Sequence, residues 1–139
     1  MRKTLKNKKG FTLVEILVVL AIMAILIAIA VPTMMGALGD AKDKASMADA
    51  RTAYIAYELK SATGTPTTTD IINYMDKDAG SIKVAYKADS DGKITEFYYI
   101  DKNLDSSLTK KYVKIVMGDK AEIVDANFPE AGSGVTVLS

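Results

Sequence analysis

The chain contains neither cysteine nor histidine. Without cysteine, no disulfide or thiolate metal site can form. Without histidine, the commonest metal ligand and the side chain best suited to proton transfer near neutrality are both missing. Most hydrolase and metalloenzyme chemistries lose their usual residues, and neither a G-x-S-x-G elbow nor a P-loop compensates. The expectation is a protein that is not an enzyme and needs no cofactor or metal. Aromatic residues are absent between Phe11 and Tyr54, so this stretch cannot supply a stacked aromatic path for electrons. At 139 residues the chain has room for one domain and a membrane segment, but not for a second core.

Charge is balanced overall but strongly segregated. Of 18 basic residues, five (Arg2, Lys3, Lys6, Lys8 and Lys9) precede Gly10, and the remainder of the chain carries a formal charge of −4. Such a mildly acidic body has no general footprint for a polyanion. Residues 11–31, FTLVEILVVLAIMAILIAIAV, hold a single charge, Glu15, followed by 16 uninterrupted apolar residues. As a helix rising about 1.5 Å per residue, this stretch spans roughly 31 Å, the depth of a hydrocarbon core. Its Ile, Leu and Val residues supply about 3–7 kcal/mol of insertion free energy, enough to offset one acid that costs up to about 3.5 kcal/mol at full depth. The basic cluster should stay cytoplasmic and send the rest of the chain across the membrane.

The run Gly10-Phe11-Thr12-Leu13-Val14-Glu15 resembles the leader and cleavage motif of type IV pilins, in which a short basic leader ends in glycine and phenylalanine follows. The resemblance extends through the apolar helix to Pro32, about a quarter of the chain. It implies that a prepilin peptidase cuts between Gly10 and Phe11 and N-methylates Phe11. It also implies that Glu15 pairs with the N-terminal amine of a neighbouring subunit during filament assembly. Glycine at the cleavage point leaves no Cβ to crowd the scissile bond. Cleavage creates a cation at Phe11, and an opposite charge is what an acid in an apolar setting requires. The plainer reading of Glu15 is an interfacial carboxylate that reaches towards water without a partner.

Two other readings fit the same segment. A basic stretch, an apolar stretch and Ala28-Ile29-Ala30 imitate a secretory signal with its cleavage site, although the apolar run is long, Glu15 interrupts it and Pro32 follows the cut poorly. An uncleaved single-pass anchor would make Gly10-Phe11 a coincidence. Within the resemblance, a pseudopilin of a type II secretion or competence system is the alternative to a major pilin.

Pro32 lacks an N–H and clashes with the carbonyl one turn back, and Gly36 and Gly39 weaken the following turn, which predicts a kink or local unwinding. The resemblance implies that this region lets a filament stretch. Beyond it, Leu38, Ala41, Ala45, Ala48, Thr52, Ile55, Leu59 and Ala62 recur in steps of three and four, one helical face expected to cover a sheet. Thr63-Gly64-Thr65-Pro66 should end the helix near Ala62.

In the remainder, Thr69 is the expected N-cap of a short helix through Met75, with Asp70 complementing its dipole. Ile82, Val84 and Tyr86 mark one strand, and Ile94 with Phe97-Tyr98-Tyr99-Ile100 a second, joined at Asp89-Ser90-Asp91-Gly92. A second hairpin runs from residues 112–117 through Gly118-Asp119 to residues 121–124, where glycine suggests a II′ turn. Asp89-x-Asp91-Gly92 hints at calcium, but its glycine comes too early for an EF-hand and a plain turn is favoured. Lys110-Lys111-Tyr112-Val113-Lys114 is the best candidate patch for DNA, against a solvated strand edge. Residues 128–134 read as a loop, with Val135-Thr136-Val137 as a candidate edge strand. Lacking cysteine, the chain cannot form the stapled C-terminal loop that the resemblance would otherwise imply.

The expected fold is therefore α+β. A long N-terminal helix, half transmembrane and half amphipathic, packs on a small antiparallel sheet of about four strands. The expected divisions are a basic leader (1–10), a transmembrane or filament-core helix (11–32), an amphipathic helix (33–62) and a C-terminal α+β body (63–139). The resemblance implies a subunit held in the plasma membrane and then assembled with copies of itself into an extracellular pilus. It implies prepilin peptidase, an assembly platform and a motor as partners, and adhesion, motility or DNA uptake as outputs.

Overall fold

The computed structural model describes residues 10–132 and 134–139. The leader cations Arg2, Lys3, Lys6, Lys8 and Lys9, and Ser133 in the C-terminal loop, lie outside the described residues. The elements run α1 (Leu13–Ser61), α2 (Thr68–Met75), β1 (Ile82–Ala88), β2 (Ile94–Asp101), β3 (Lys111–Val116), β4 (Ala121–Asp125) and β5 (Val135–Val137). The chain divides into two compact units, one ending at Leu38 and one comprising Gly39–Ser139.

The second unit is an α+β body. Its five-stranded antiparallel sheet has the order β4-β3-β2-β1-β5. The fifth strand is the Val135–Val137 segment, which pairs with β1 and raises the count above the expected four. One consequence corrects the sequence reading of Lys110-Lys111-Tyr112-Val113-Lys114. Strand β3 lies between β2 and β4, so it is not an edge.

Alternation along the strands builds two apolar layers, because successive side chains face opposite sides of a sheet. On the helix side, Val84, Phe97, Tyr99 and Val113 are fully buried and pack with Ala50, Ala53, Ala56 and Tyr57 of α1. Tyr54 and Tyr57 meet the Phe97 ring edge-on at centroid distances of 5.3 and 6.0 Å. On the outer side, Ala85, Tyr98, Ile100 and Tyr112 pack under Leu108 and Phe128, contributed by loops. This outer layer explains why every residue from Phe97 to Asp101 is buried rather than every second one.

The face of α1 that packs on the sheet is opposite to the one the sequence suggests. Ser46, Ala50, Ala53, Ala56 and Tyr57 are buried, whereas Ala41, Ala45, Ala48, Ile55 and Leu59 are exposed. Both stripes recur at helical spacing and both are apolar, so periodicity alone does not choose between them. Volume decides: the sheet presents Phe97 and Tyr99, and the alanines at 50, 53 and 56 let the helix backbone come close to those rings. Polar ties fix the same face. Asp43 pairs with Lys111 at 2.7 Å and Asp49 with Lys77 at 2.7 Å, while Ser46 donates to the buried Asp101 carboxylate at 3.1 Å. Tyr99 Oη (3.2 Å) and the Leu104 N–H (2.8 Å) also donate to Asp101, satisfying a carboxylate that is 2% exposed.

Local boundaries show smaller differences. Helix α1 starts at Leu13 and ends at Ser61. Helix α2 is capped by Thr67, not Thr69, because Asp70 reaches back from the N3 position. The Asp70 N–H donates to Thr67 Oγ1 at 3.2 Å and the Thr67 N–H donates to Asp70 at 3.0 Å, a reciprocal capping box. In the β3–β4 connection the Asp119 N–H donates to the Val116 carbonyl at 3.0 Å, which places Gly118 (φ +92°) third in the turn. Positive φ at the third position marks a type II turn, whereas II′ requires it at the second.

Candidate processing and assembly segment

The first unit carries the residues that the sequence marks for processing and assembly. Gly10 precedes the helix, is exposed, and has nothing within 4 Å of where a Cβ would stand. Phe11 is 84% exposed.

Thr12 and Glu15 form the helix start. The Thr12 N–H donates to Glu15 Oε2 at 2.7 Å, the Thr12 hydroxyl donates to the same oxygen at 3.0 Å, and the Glu15 N–H donates to Thr12 Oγ1 at 3.3 Å. This is a second capping box, and it places the carboxylate at the positive end of a long helix dipole. Within the chain, Thr12 is the partner of the Glu15 carboxylate. Thr12 is a capping residue that the sequence reading missed, although T-x-x-E immediately before an apolar run is its signature. Both Thr12 donors use Oε2, which leaves Oε1 for a further donor.

From Ile16 to Val31 the helix is apolar all round. Its large side chains through Leu38, such as Leu17, Ile25 and Val31, are exposed, and no residue from 10 to 38 is buried against the described chain. Among the described residues one helix, Leu13–Ser61, is long and apolar enough to cross a membrane. A helix greasy on every side buries itself in lipid or among other helices.

The helix runs unbroken through Pro32, Gly36 and Gly39, without the local unwinding that the sequence allows. Pro32 cannot donate to the Ala28 carbonyl, and the Thr33 hydroxyl that follows donates to other carbonyls of the same turn, Ala30 O at 2.9 Å and Ile29 O at 3.4 Å. No atom lies within 4 Å of a Cβ built at Gly36 or Gly39. Sterics within the chain thus do not demand glycine at either place.

The remaining candidates lie in the body and do not converge on a site. Asp89 Oδ1 accepts the N–H groups of Asp91 (3.0 Å) and Lys93 (2.9 Å), and Gly92 takes φ +79°, so this carboxylate is used to build the hairpin turn. Lys111 pairs with Asp43, Lys114 pairs with Glu96 at 3.0 Å, and Tyr112 and Val113 are buried in opposite layers. The segment read as a DNA patch is thereby split across two faces of an internal strand, with two of its three charges neutralised.

Among known proteins, residues 5–31 match the family model of the prokaryotic N-terminal methylation motif. No curated protein and no solved structure matches the chain. The matched stretch contains Gly10, Phe11, the Thr12–Glu15 capping box and the apolar run up to Pro32. Across residues 5–31 the chain carries the N-terminal methylation motif that serves as the signal of type IV pilins and pseudopilins.

Proposed function

We propose that the chain is a structural subunit of a type IV pilus, cleaved after Gly10, N-methylated on Phe11, and assembled with copies of itself into an extracellular filament. The observation that carries this reading is the junction of a methylation motif with an exposed all-round apolar helix whose one acid is capped on one oxygen and open on the other. Before assembly, lipid covers residues 11–31, with the basic leader inside and the body outside. After cleavage the Phe11 amine of an incoming subunit meets Glu15 of a neighbour. The ion pair then replaces lipid contact for two charges that are each costly alone. Helix packing in the filament covers what lipid covered before.

Pro32, Gly36 and Gly39 form the weakest stretch of α1 and the place where it yields under tension. With three suboptimal residues, that segment loses about 3 kcal/mol for the proline and about 1 kcal/mol for each glycine relative to alanine.

Mass spectrometry of the mature N-terminus tests the reading directly. A methylated Phe11 supports it, Val31 would identify a secreted protein, and Met1 an uncleaved anchor. Electron microscopy of cells lacking the chain tests the output, since long surface filaments that persist would demote it to an accessory or pseudopilin.

A further inference from the structure

The outer layer of the sheet is incompletely filled. Between β1, β5 and the C-terminal loop lies a cleft of about 540 Å³, within the roughly 300–1,000 Å³ of small-molecule sites. Its buried walls are apolar, formed by Leu108 and Phe128, with Val137 half-buried beside them. Its exposed lining is polar and includes Lys83, Asn127 and Glu130.

We propose that this cleft binds a small organic monocarboxylate with an apolar body. Lys83 supplies the recognition. Its ammonium donates to the Leu108 carbonyl at 3.1 Å, and no carboxylate among the described residues lies within ion-pairing distance. In this it differs from Lys60, Lys77, Lys111 and Lys114, each of which is paired with an acid. One donor is spent on a carbonyl and the rest of the cation is available to an anion at the mouth of an apolar cavity. Glu130 in the same lining disfavours a second negative charge on the ligand.

The wall that presents Leu108 is preorganised. Leu108 takes φ +54°, an uncommon conformation for a branched side chain, of the kind that persists where surroundings over-determine it. The surroundings here are the Asp105 carboxylate, which accepts the N–H groups of Ser107, Thr109 and Lys110 at 2.9, 3.1 and 2.7 Å, and the Phe128 N–H, which donates to Thr109 O at 2.6 Å. A cleft held open in this way does not have to be ordered when the ligand arrives.

Fluorine NMR of para-trifluoromethyl-phenylacetate with the full chain in lipid nanodiscs, against empty nanodiscs, tests the proposal. Protein-dependent broadening should appear by about 10 mM ligand, ten times a millimolar dissociation constant. Lys83→Gln should weaken binding about fivefold, the modest worth of a solvent-screened charged contact, and the matching neutral alcohol should bind about as poorly. Ala131→Phe, an exposed change that fills the cleft, should weaken it at least about tenfold with the melting temperature unchanged. Lys93→Gln, on the distant hairpin turn, should have no effect. Equal binding of acid and alcohol, equal loss in Lys93→Gln and Lys83→Gln, full binding by Ala131→Phe, or no broadening at all would each overturn it.

Discussion

The two units of this chain obey different physics. From Gly10 to Leu38 the molecule is one-dimensional: a helix, a cap, one acid and a sequence of exposed apolar side chains with no buried contact to the described chain. From Gly39 onward the packing depends on residues far apart in sequence, as buried Ser46 depends on Asp101 and half-buried Asp43 on Lys111. The first unit is specified by order along the chain and the second by complementarity across it. A change in the first should therefore alter assembly and leave the body's stability alone, and the reverse should hold for the second.

The sharpest break in that comparison is Glu15→Ala. It removes the acceptor of both Thr12 bonds and the proposed partner of the Phe11 amine, yet it touches no residue of the body. Filaments should fall by at least about tenfold by electron microscopy, the effect of leaving one buried charge unpaired. Cleavage after Gly10, read by mass spectrometry, should continue, and thermal melting of the body should be unchanged. A body destabilised by this substitution would show that the units are not independent.

The converse is Phe97→Ala. Phe97 is fully buried and receives two tyrosine edges from α1, so truncation should cost about 3–5 kcal/mol in denaturant unfolding of the full chain while membrane insertion persists. A smaller change tests which face of α1 meets the sheet. Ala53 has no exposed surface, and Ala53→Leu should cost about 1–3 kcal/mol by overpacking. Ala48 lies on the exposed stripe, where Ala48→Leu should stay within about 0.5 kcal/mol of the parent. Equal costs at the two positions would return the sequence-based face assignment to favour.

Legibility follows the same division. The motif that spans Gly10, Phe11 and Glu15 and the apolar run behind it are legible because their pattern is local, and the same locality makes Thr12 recoverable from its spacing to Glu15. The strands are visible because Ile82, Val84 and Tyr86 alternate in β1 and β2 carries the run Phe97-Tyr98-Tyr99-Ile100, and the α+β class follows from them. What could not be read was pairing. Two apolar stripes on residues 39–61 look equivalent until the rings of Phe97 and Tyr99 select the one with alanines at 50, 53 and 56. Likewise, Lys111 and Lys114 read as neighbours in a basic patch, but each is neutralised from a different element, by Asp43 of α1 and by Glu96 of β2. The outer layer was hidden because its lids, Leu108 and Phe128, come from loops without periodicity.

The smallest expected effect is a pH dependence confined to the second unit. Glu96 on the outer face accepts the Tyr98 hydroxyl and pairs with Lys114, and these contacts hold its carboxyl below the ordinary 4.5 despite some burial. A depressed carboxyl binds its proton more weakly in the folded state than in the unfolded one. Its stabilisation is thus fully present above about pH 4.5 and disappears as pH falls through the lower folded value. Lys114 is raised above 10.5 by the same pair, so its share is present below that value and lost as pH rises past it. Melting of the full chain should therefore be flat across neutrality and fall at the acid end, with a shallower acid slope in Glu96→Gln. Glu15→Ala should leave that slope as it is, because the carboxylate it removes belongs to the other unit.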